Sequence, residues 1–240
     1  MKTVLITGAN KGIGLEAAAE LVRLGYFVYL GCRNLTLGQE AIKELQKRGL
    51  TNLALIELDV TKPESIKKAA EQVAEKSSSL DGLINNAGIS GAFPQAASTT
   101  PIEIIRTVFD TNVFGVIQVT QAFLPLLRQS DAPRIVNVSS DLGSLGNHSN
   151  PDYEFYGLSP AAYTPSKSAL NAYTVMLAKE LRDTPFKVNS VNPGYTATDF
   201  NHHTGYKPVD QAGRFVASFA ALDADGPTGR FFSETGETPW

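Results

Sequence analysis

The stretch "KTVLITGANKGIGLEAAAELVRLG", residues 2–25, decides the fold. Its start, "TVLIT", is a short β-branched and apolar run with strand character. "GANKGIG" interrupts it with Gly8, Gly12 and Gly14. "LEAAAELVRLG" then places its apolar residues at helical spacing and stops at Gly25, a residue suited to a helix C-terminus. A strand, a glycine turn and a helix in direct succession form the first unit of an α/β chain.

The same alternation continues to the end. "YFVYLGC", "NLALIELDV", "LDGLINNAG", "RIVNVSS", "FKVNSVNPG" and "GRFFSE" read as further strands. Between them lie helical patterns at 35–49, 62–78, 101–129, 161–183 and 208–222. Alternating strands and helices predict a parallel sheet covered on both faces. Right-handed crossovers then give a doubly wound α/β fold. No linker-like shift in composition divides the 240 residues, so a single domain is expected. In such a sheet a ligand sits beyond the carboxyl ends of the strands. That places the loops 8–14, 31–36, 59–61, 86–99, 139–162 and 193–207 at one rim.

Composition narrows the function classes. The net charge is −3, with no clustered Lys and Arg, so no nucleic-acid partner is expected. No apolar run reaches the roughly 18 residues of a membrane span, so no membrane partner is expected. Cys32 is the one cysteine, which rules out an internal disulfide and fits a cytoplasmic location. His202 and His203 are adjacent and His148 stands alone, so no metal site is expected.

Glycines between a first strand and helix let the backbone approach a pyrophosphate, and the helix N-terminus offers free N–H groups to it. The candidates in this turn are Gly8, Asn10, Lys11, Gly12, Ile13 and Gly14. The end of the second strand normally chooses the nucleotide, and an acid there would hold the ribose hydroxyl of NAD. Here "GCRN", residues 31–34, has no acid. Arg33 can fork a 2′-phosphate and Lys11 can add a second charge, which predicts NADP(H). Asp59, followed by Val60, ends the third strand; it can accept from an adenine amino group or precede a helix as a cap.

"YGLSPAAYTPSK", residues 156–167, holds Tyr163 and Lys167 four apart, the one Tyr-x-x-x-Lys pair among eight tyrosines. Spacing alone does not make such a pair catalytic. Six motifs in order do more: "TGANKGIG" at 7–14, "NNAG" at 85–88, Asn112 in "TNVFG", "VNVSS" at 136–140, Tyr163 with Lys167, and "NPGYTATD" at 192–199. Together they resemble the short-chain dehydrogenase/reductase family across nearly the whole chain, and its carbonyl-reductase branch in particular.

The resemblance implies a Rossmann-type sheet and hydride transfer from NADPH to an aldehyde, ketone or quinone. It implies Tyr163 as proton donor, Lys167 lowering its pKa, Ser140 orienting the carbonyl, and Asn112 linking Lys167 to water. It further implies that Asn86, Ala87 and Gly88 wall the nicotinamide side. Pro193, Gly194, Thr196 and Thr198 would lie on the carboxamide or phosphates, and Tyr163 and Lys167 on the ribose. Two other readings remain open: NAD(P)-dependent alcohol oxidation, and a non-catalytic nucleotide-binding regulator.

One segment departs from the family pattern. Ser140 and Tyr163 are separated by extra residues, which predicts an insertion loop at 141–162 facing a lid at 195–208. The carbonyl-reductase branch has a longer insertion, and an intermediate one leaves monomer or homodimer open. Phe93, Leu142, Tyr153, Phe155, Tyr156, Tyr195 and Phe200 would line an aromatic mouth suited to a small-molecule carbonyl substrate that is bulky and apolar, a ketone, aldehyde or quinone.

Overall fold

A computed structural model describes residues 1–240. Strand β1 (Thr3–Thr7) leads through the glycine turn into α1 (Gly12–Arg23). Then follow β2 (Phe27–Cys32), α2 (Leu35–Lys47), β3 (Leu53–Glu57), α3 (Pro63–Lys76) and β4 (Gly82–Asn85). The region expected to hold one or two helices is a single helical run: α4 (Ile102–Phe109), a π-helical turn (Asp110–Gly115) and α5 (Val116–Leu127). After β5 (Arg134–Val138) come a 3-10 turn (Asp141–Gly143) and a short α6 (Leu145–His148). The chain ends with α7 (Tyr163–Glu180), β6 (Lys187–Val191), a 3-10 turn (Asp199–Asn201), α8 (Val209–Ala220), β7 (Phe231–Ser233) and β8 (Gly236–Glu237). No helix is long and apolar enough to cross a membrane.

The strands form one sheet in the order β3-β2-β1-β4-β5-β6-β7-β8. All neighbours are parallel except β7 and β8. That last antiparallel strand is not anticipated by the alternation, because two residues are too few to carry a period. Strand order reverses between β1 and β4, so helices cover both faces. Val4, Ile6, Val28 and Leu30 point to the side of α1 and α8. Leu5, Tyr29, Leu83 and Ile135 point to the side of α3, α5 and α7. All eight are buried, and each fully buried apolar side chain contributes about 1.5–3 kcal/mol.

The crossover is locked by short side chains. Asn86 Nδ2 donates to the carbonyls of Thr7 (2.9 Å) and Gly8 (3.2 Å), and Thr7 Oγ1 accepts from Asn86 N and Ala87 N, both at 3.0 Å. A Cβ at Gly14 would sit 2.5 Å from Asn86 Nδ2, so glycine here makes room for that clamp. A second polar chain crosses the sheet interior. Asn85 Nδ2 donates to Asn137 Oδ1 (2.9 Å), Asn137 Nδ2 to Thr174 Oγ1 (2.8 Å), and Thr174 and Ser190 share a bond of 2.9 Å. It ties three strand ends to α7, the helix that begins at Tyr163.

Candidate active site

A cleft of about 500 Å³ lies beyond the carboxyl ends of β1, β4, β5 and β6, where the topology predicts a ligand. Its floor at one end is the glycine turn. Gly8 and Gly12 have φ of +65° and +59°, a conformation that glycine adopts without strain. Gly8, Asn10, Lys11, Gly12 and Ile13 line the cleft, as do Asp59, Val60, Asn86, Ala87, Gly88, Pro193, Gly194, Thr196 and Thr198. Gly14 does not; it lies beneath the turn against Asn86.

Arg33 stands at the cleft edge after β2 with no ion-pair partner. Lys11 differs: its Nζ lies 2.8 Å from the Asp199 carboxylate. Its charge is largely matched, so the two expected cations are not equivalent. Asp59 uses Oδ1 to accept from Thr61 N (3.0 Å) and Thr61 Oγ1 (2.7 Å). Burial pushes its pKa up, but the two Thr61 bonds and the charge of Arg33 outweigh that and hold it below the usual value. Asp59 thus serves as a turn residue while still facing the cleft.

The chemistry-bearing side chains meet at the other end. Tyr163 opens α7, and Pro165 follows in the first turn, where its missing N–H breaks no helical bond. One turn on, Lys167 is buried and its Nζ donates to the carbonyl of Val138 at 2.7 Å. The same Nζ lies 5.7 Å from the Tyr163 ring centre. Without a carboxylate partner, burial lowers the Lys167 pKa to about 8. Burial raises the Tyr163 pKa above its ordinary value, the Ser140 hydroxyl draws it down, and the Asp141 carboxylate adds to the rise. Ser140 Oγ accepts from Leu142 N at 3.2 Å, which holds it at the cleft wall. Ser139 also lines the cleft, and its Oγ is buried with no hydrogen-bond partner.

Asn112 lies in the π-helical turn and is fully buried. It donates to Ile89 O (2.9 Å) and Ser166 Oγ (3.0 Å), and its Oδ1 accepts from Ile89 N (2.9 Å). Such turns recur at functional sites. Its side chain joins the loop after β4 to α7 and does not reach the cleft surface.

A residue that periodicity could not single out does related work. Gln95 Oε1 accepts from Ala162 N (2.9 Å) and Tyr163 N (3.3 Å), and Nε2 donates to Ser90 O (2.7 Å). It caps the helix that carries Tyr163, from a position 68 residues away. Gln95→Ala is expected to cost about 1–2 kcal/mol, as a lost cap does. It should lower kcat more than it raises KM, because Tyr163 loses its positioning. Thermal unfolding and steady-state kinetics check both.

The mouth is aromatic, but not with every residue expected. Leu142, Phe155, Tyr195 and Phe200 line it, and Leu158 joins them. Tyr153 stands behind Phe155, its ring 5.7 Å away. Phe93 and Tyr156 do not line the cleft and are 65% and 48% exposed. All three neighbour rim residues in sequence, and turns within the two loops carry them away from the cleft surface. The segment expected as a lid is pinned at its base, where Ala197 N donates to Lys207 O and Lys207 N to Tyr195 O. Its tip crosses the cleft to Lys11 through Asp199.

The donor set suits a dinucleotide phosphate: positive-φ glycines at a helix N-terminus and an unpaired guanidinium at the same end of the cleft. Known proteins point the same way. The family model of short chain dehydrogenases matches residues 2–208. Salutaridine reductase of Papaver bracteatum is 32% identical over 97% of this chain and 94% of that enzyme. The (+)-neomenthol dehydrogenase of Arabidopsis thaliana is 33% identical over 95% of each chain. The NADPH-bound carbonyl reductase from chicken fatty liver superposes with a TM-score of 0.85 at 31% identity, over 100% of this chain and 99% of that one. Since the family match runs from the first strand to the base of the lid, it contains every residue placed around the cleft, and the chain belongs to the short-chain dehydrogenase/reductase family of oxidoreductases.

Proposed function

We propose that the protein is an NADPH-dependent carbonyl reductase acting on aldehydes, ketones or quinones. The observation that carries this reading is one cleft with Tyr163, Lys167 and Ser140 at one end and the glycine turn with unpaired Arg33 at the other. NADPH, when bound, supplies a hydride to the carbonyl carbon. The chain supplies the rest. Ser140 Oγ donates to the carbonyl oxygen and orients it. Tyr163 gives its phenolic proton to that oxygen as charge builds there. Lys167 favours the phenolate left behind, since an ammonium near a phenol stabilises its charged form. Arg33 holds the 2′-phosphate that separates NADPH from NADH.

The pKa of Tyr163 is raised by burial, against the expected lowering by Lys167, and the phenol is protonated at neutral pH as a proton donor must be. Lys167 sets the upper limit. With its pKa lowered to about 8, the ammonium is present below that pH and lost above it. The rate of reduction should therefore fall as pH rises through about 8. A pH profile that stays flat well beyond this value would remove Lys167 from the mechanism. The test of the proposal itself is NADPH oxidation with a panel of aldehydes, ketones and quinones, run beside NADH. No turnover with any of them would refute it.

A further inference from the structure

Asp141 follows Ser140 directly and lines the cleft beside Leu142, Phe155 and Tyr163. Its Oδ1 accepts from Leu142 N at 3.0 Å and from Ser140 Oγ at 3.3 Å. No Lys, Arg or His forms an ion pair with it. The other cations of the cleft are committed or distant. Lys11 is paired with Asp199, Lys167 is bonded to Val138 O, and Arg33 stands at the far end after β2. Asp141 therefore brings a negative charge to the cleft with no side-chain cation paired to it.

At this end of the cleft the rings form a continuous series, of which Phe155 and Tyr195 line the cleft and Tyr153 and Tyr206 do not. Tyr153 meets Phe155 at 5.7 Å, Phe155 meets Tyr195 at 6.1 Å, and Tyr195 meets Tyr206 at 5.9 Å. Phe200 packs on Tyr163 at 5.6 Å. Burial is the main cause that raises the pKa of Tyr153, Tyr163 and Tyr206, and Asp141 raises all three further. The Asp141 carboxylate, held 3.3 Å from Ser140 Oγ, shares the cleft with the rings of Phe155, Tyr195 and Phe200. Ring faces attract cations, and a ring of aromatics with one acid is the arrangement that binds an organic ammonium.

We propose that Asp141, with Phe155 and Tyr195, selects carbonyl substrates that carry a cationic nitrogen, and that the enzyme acts preferentially on amino-ketones or amino-aldehydes. This rests on the carbonyl-reductase reading. The cation would sit against Asp141 while Ser140, the adjacent residue, holds the carbonyl oxygen. A neutral compound of the same shape would leave the acid uncompensated.

The experiment uses two ketones that differ only in a saturated side arm, one ending in trimethylammonium and the other in tert-butyl. The shapes match and the charge is independent of pH. The ratio of their kcat/KM values is measured for the native enzyme, Asp141→Asn and Asp141→Glu. Asparagine retains an Oδ1 acceptor for Leu142 N, and NADPH titration checks that each variant is folded. The native ratio should favour the cation by about tenfold or more, as for a hydrogen bond or contact to a charged group. Asp141→Asn should bring the ratio close to one, and Asp141→Glu should keep part of it. Added salt should shrink the native ratio, a readout that needs no variant. A native ratio near one with both ketones reduced overturns this inference alone, as does a ratio that survives Asp141→Asn. Absence of NADPH oxidation with both ketones overturns this inference, and the carbonyl-reductase reading falls with it only if the wider panel of aldehydes, ketones and quinones is also not reduced.

Discussion

Tyr163→Phe is expected to lower kcat for carbonyl reduction by about 10²–10⁴-fold, the range of a lost general acid, with NADPH affinity kept. The separation of the two effects follows from how the residue is held. The start of α7 is fixed through backbone atoms: Gln95 Oε1 accepts from Ala162 N and Tyr163 N, whatever the side chain at 163. The ring packs on Phe200 at 5.6 Å and lies under Lys167 Nζ at 5.7 Å, and phenylalanine retains both contacts. Only the hydroxyl is removed, and with it the proton donor. Ser140→Ala should have a smaller effect, because it removes orientation of the carbonyl while the acid remains. Steady-state NADPH oxidation and a fluorescence titration with NADPH measure the two quantities separately. Turnover in Tyr163→Phe comparable to the native enzyme would remove Tyr163 from the chemistry. Loss of NADPH binding would instead show that the hydroxyl matters to the cofactor site.

What the sequence reveals and what it hides divide along physical lines. The alternation of apolar strands and amphipathic helices carries the sheet, because a buried parallel strand needs a short apolar run and a covering helix needs a 3.6-residue stripe. The glycine turn, Arg33, Ser140, Tyr163 and Lys167 are legible because chemistry requires those residue types at particular points of that alternation. Gln95, by contrast, acts through a loop, and nothing periodic marks a glutamine that will cap a helix 68 residues away. Loop direction is equally hidden. Phe93, Tyr153 and Tyr156 are near rim residues in sequence, yet turns in the loops after β4 and β5 take them off the cleft surface. The ion pair between Lys11 and Asp199 spans 188 positions, so the matching of one expected cation is a tertiary fact. Asp141 is hidden for a different reason: it adjoins the motif serine, and motif spacing marks the serine alone.

The unequal state of the two cations leads to the second large effect. Arg33→Asp should reverse the preference from NADPH toward NADH, changing the ratio of their kcat/KM values by about 10²–10³-fold. Two contributions act together. The guanidinium offers paired N–H donors to a phosphate, a charge-assisted interaction of about 1.5–3 kcal/mol. The new carboxylate repels a 2′-phosphate and can accept from the free 2′-hydroxyl of NADH, the arrangement that selects NAD in this type of sheet. Lys11→Ala should have the weaker effect, since the Lys11 charge is already matched by Asp199 at 2.8 Å and a phosphate would have to compete for it. Asp59 gives an internal check. Arg33 is one of the groups that hold its pKa below the usual value, so Arg33→Asp should shift that pKa upward, visible by NMR titration of the carboxyl. An unchanged NADPH/NADH ratio alongside a shifted Asp59 would show that the residue was replaced in place and yet does not select the cofactor. Selection would then lie with Lys11, whose release from Asp199 the 2′-phosphate would have to drive.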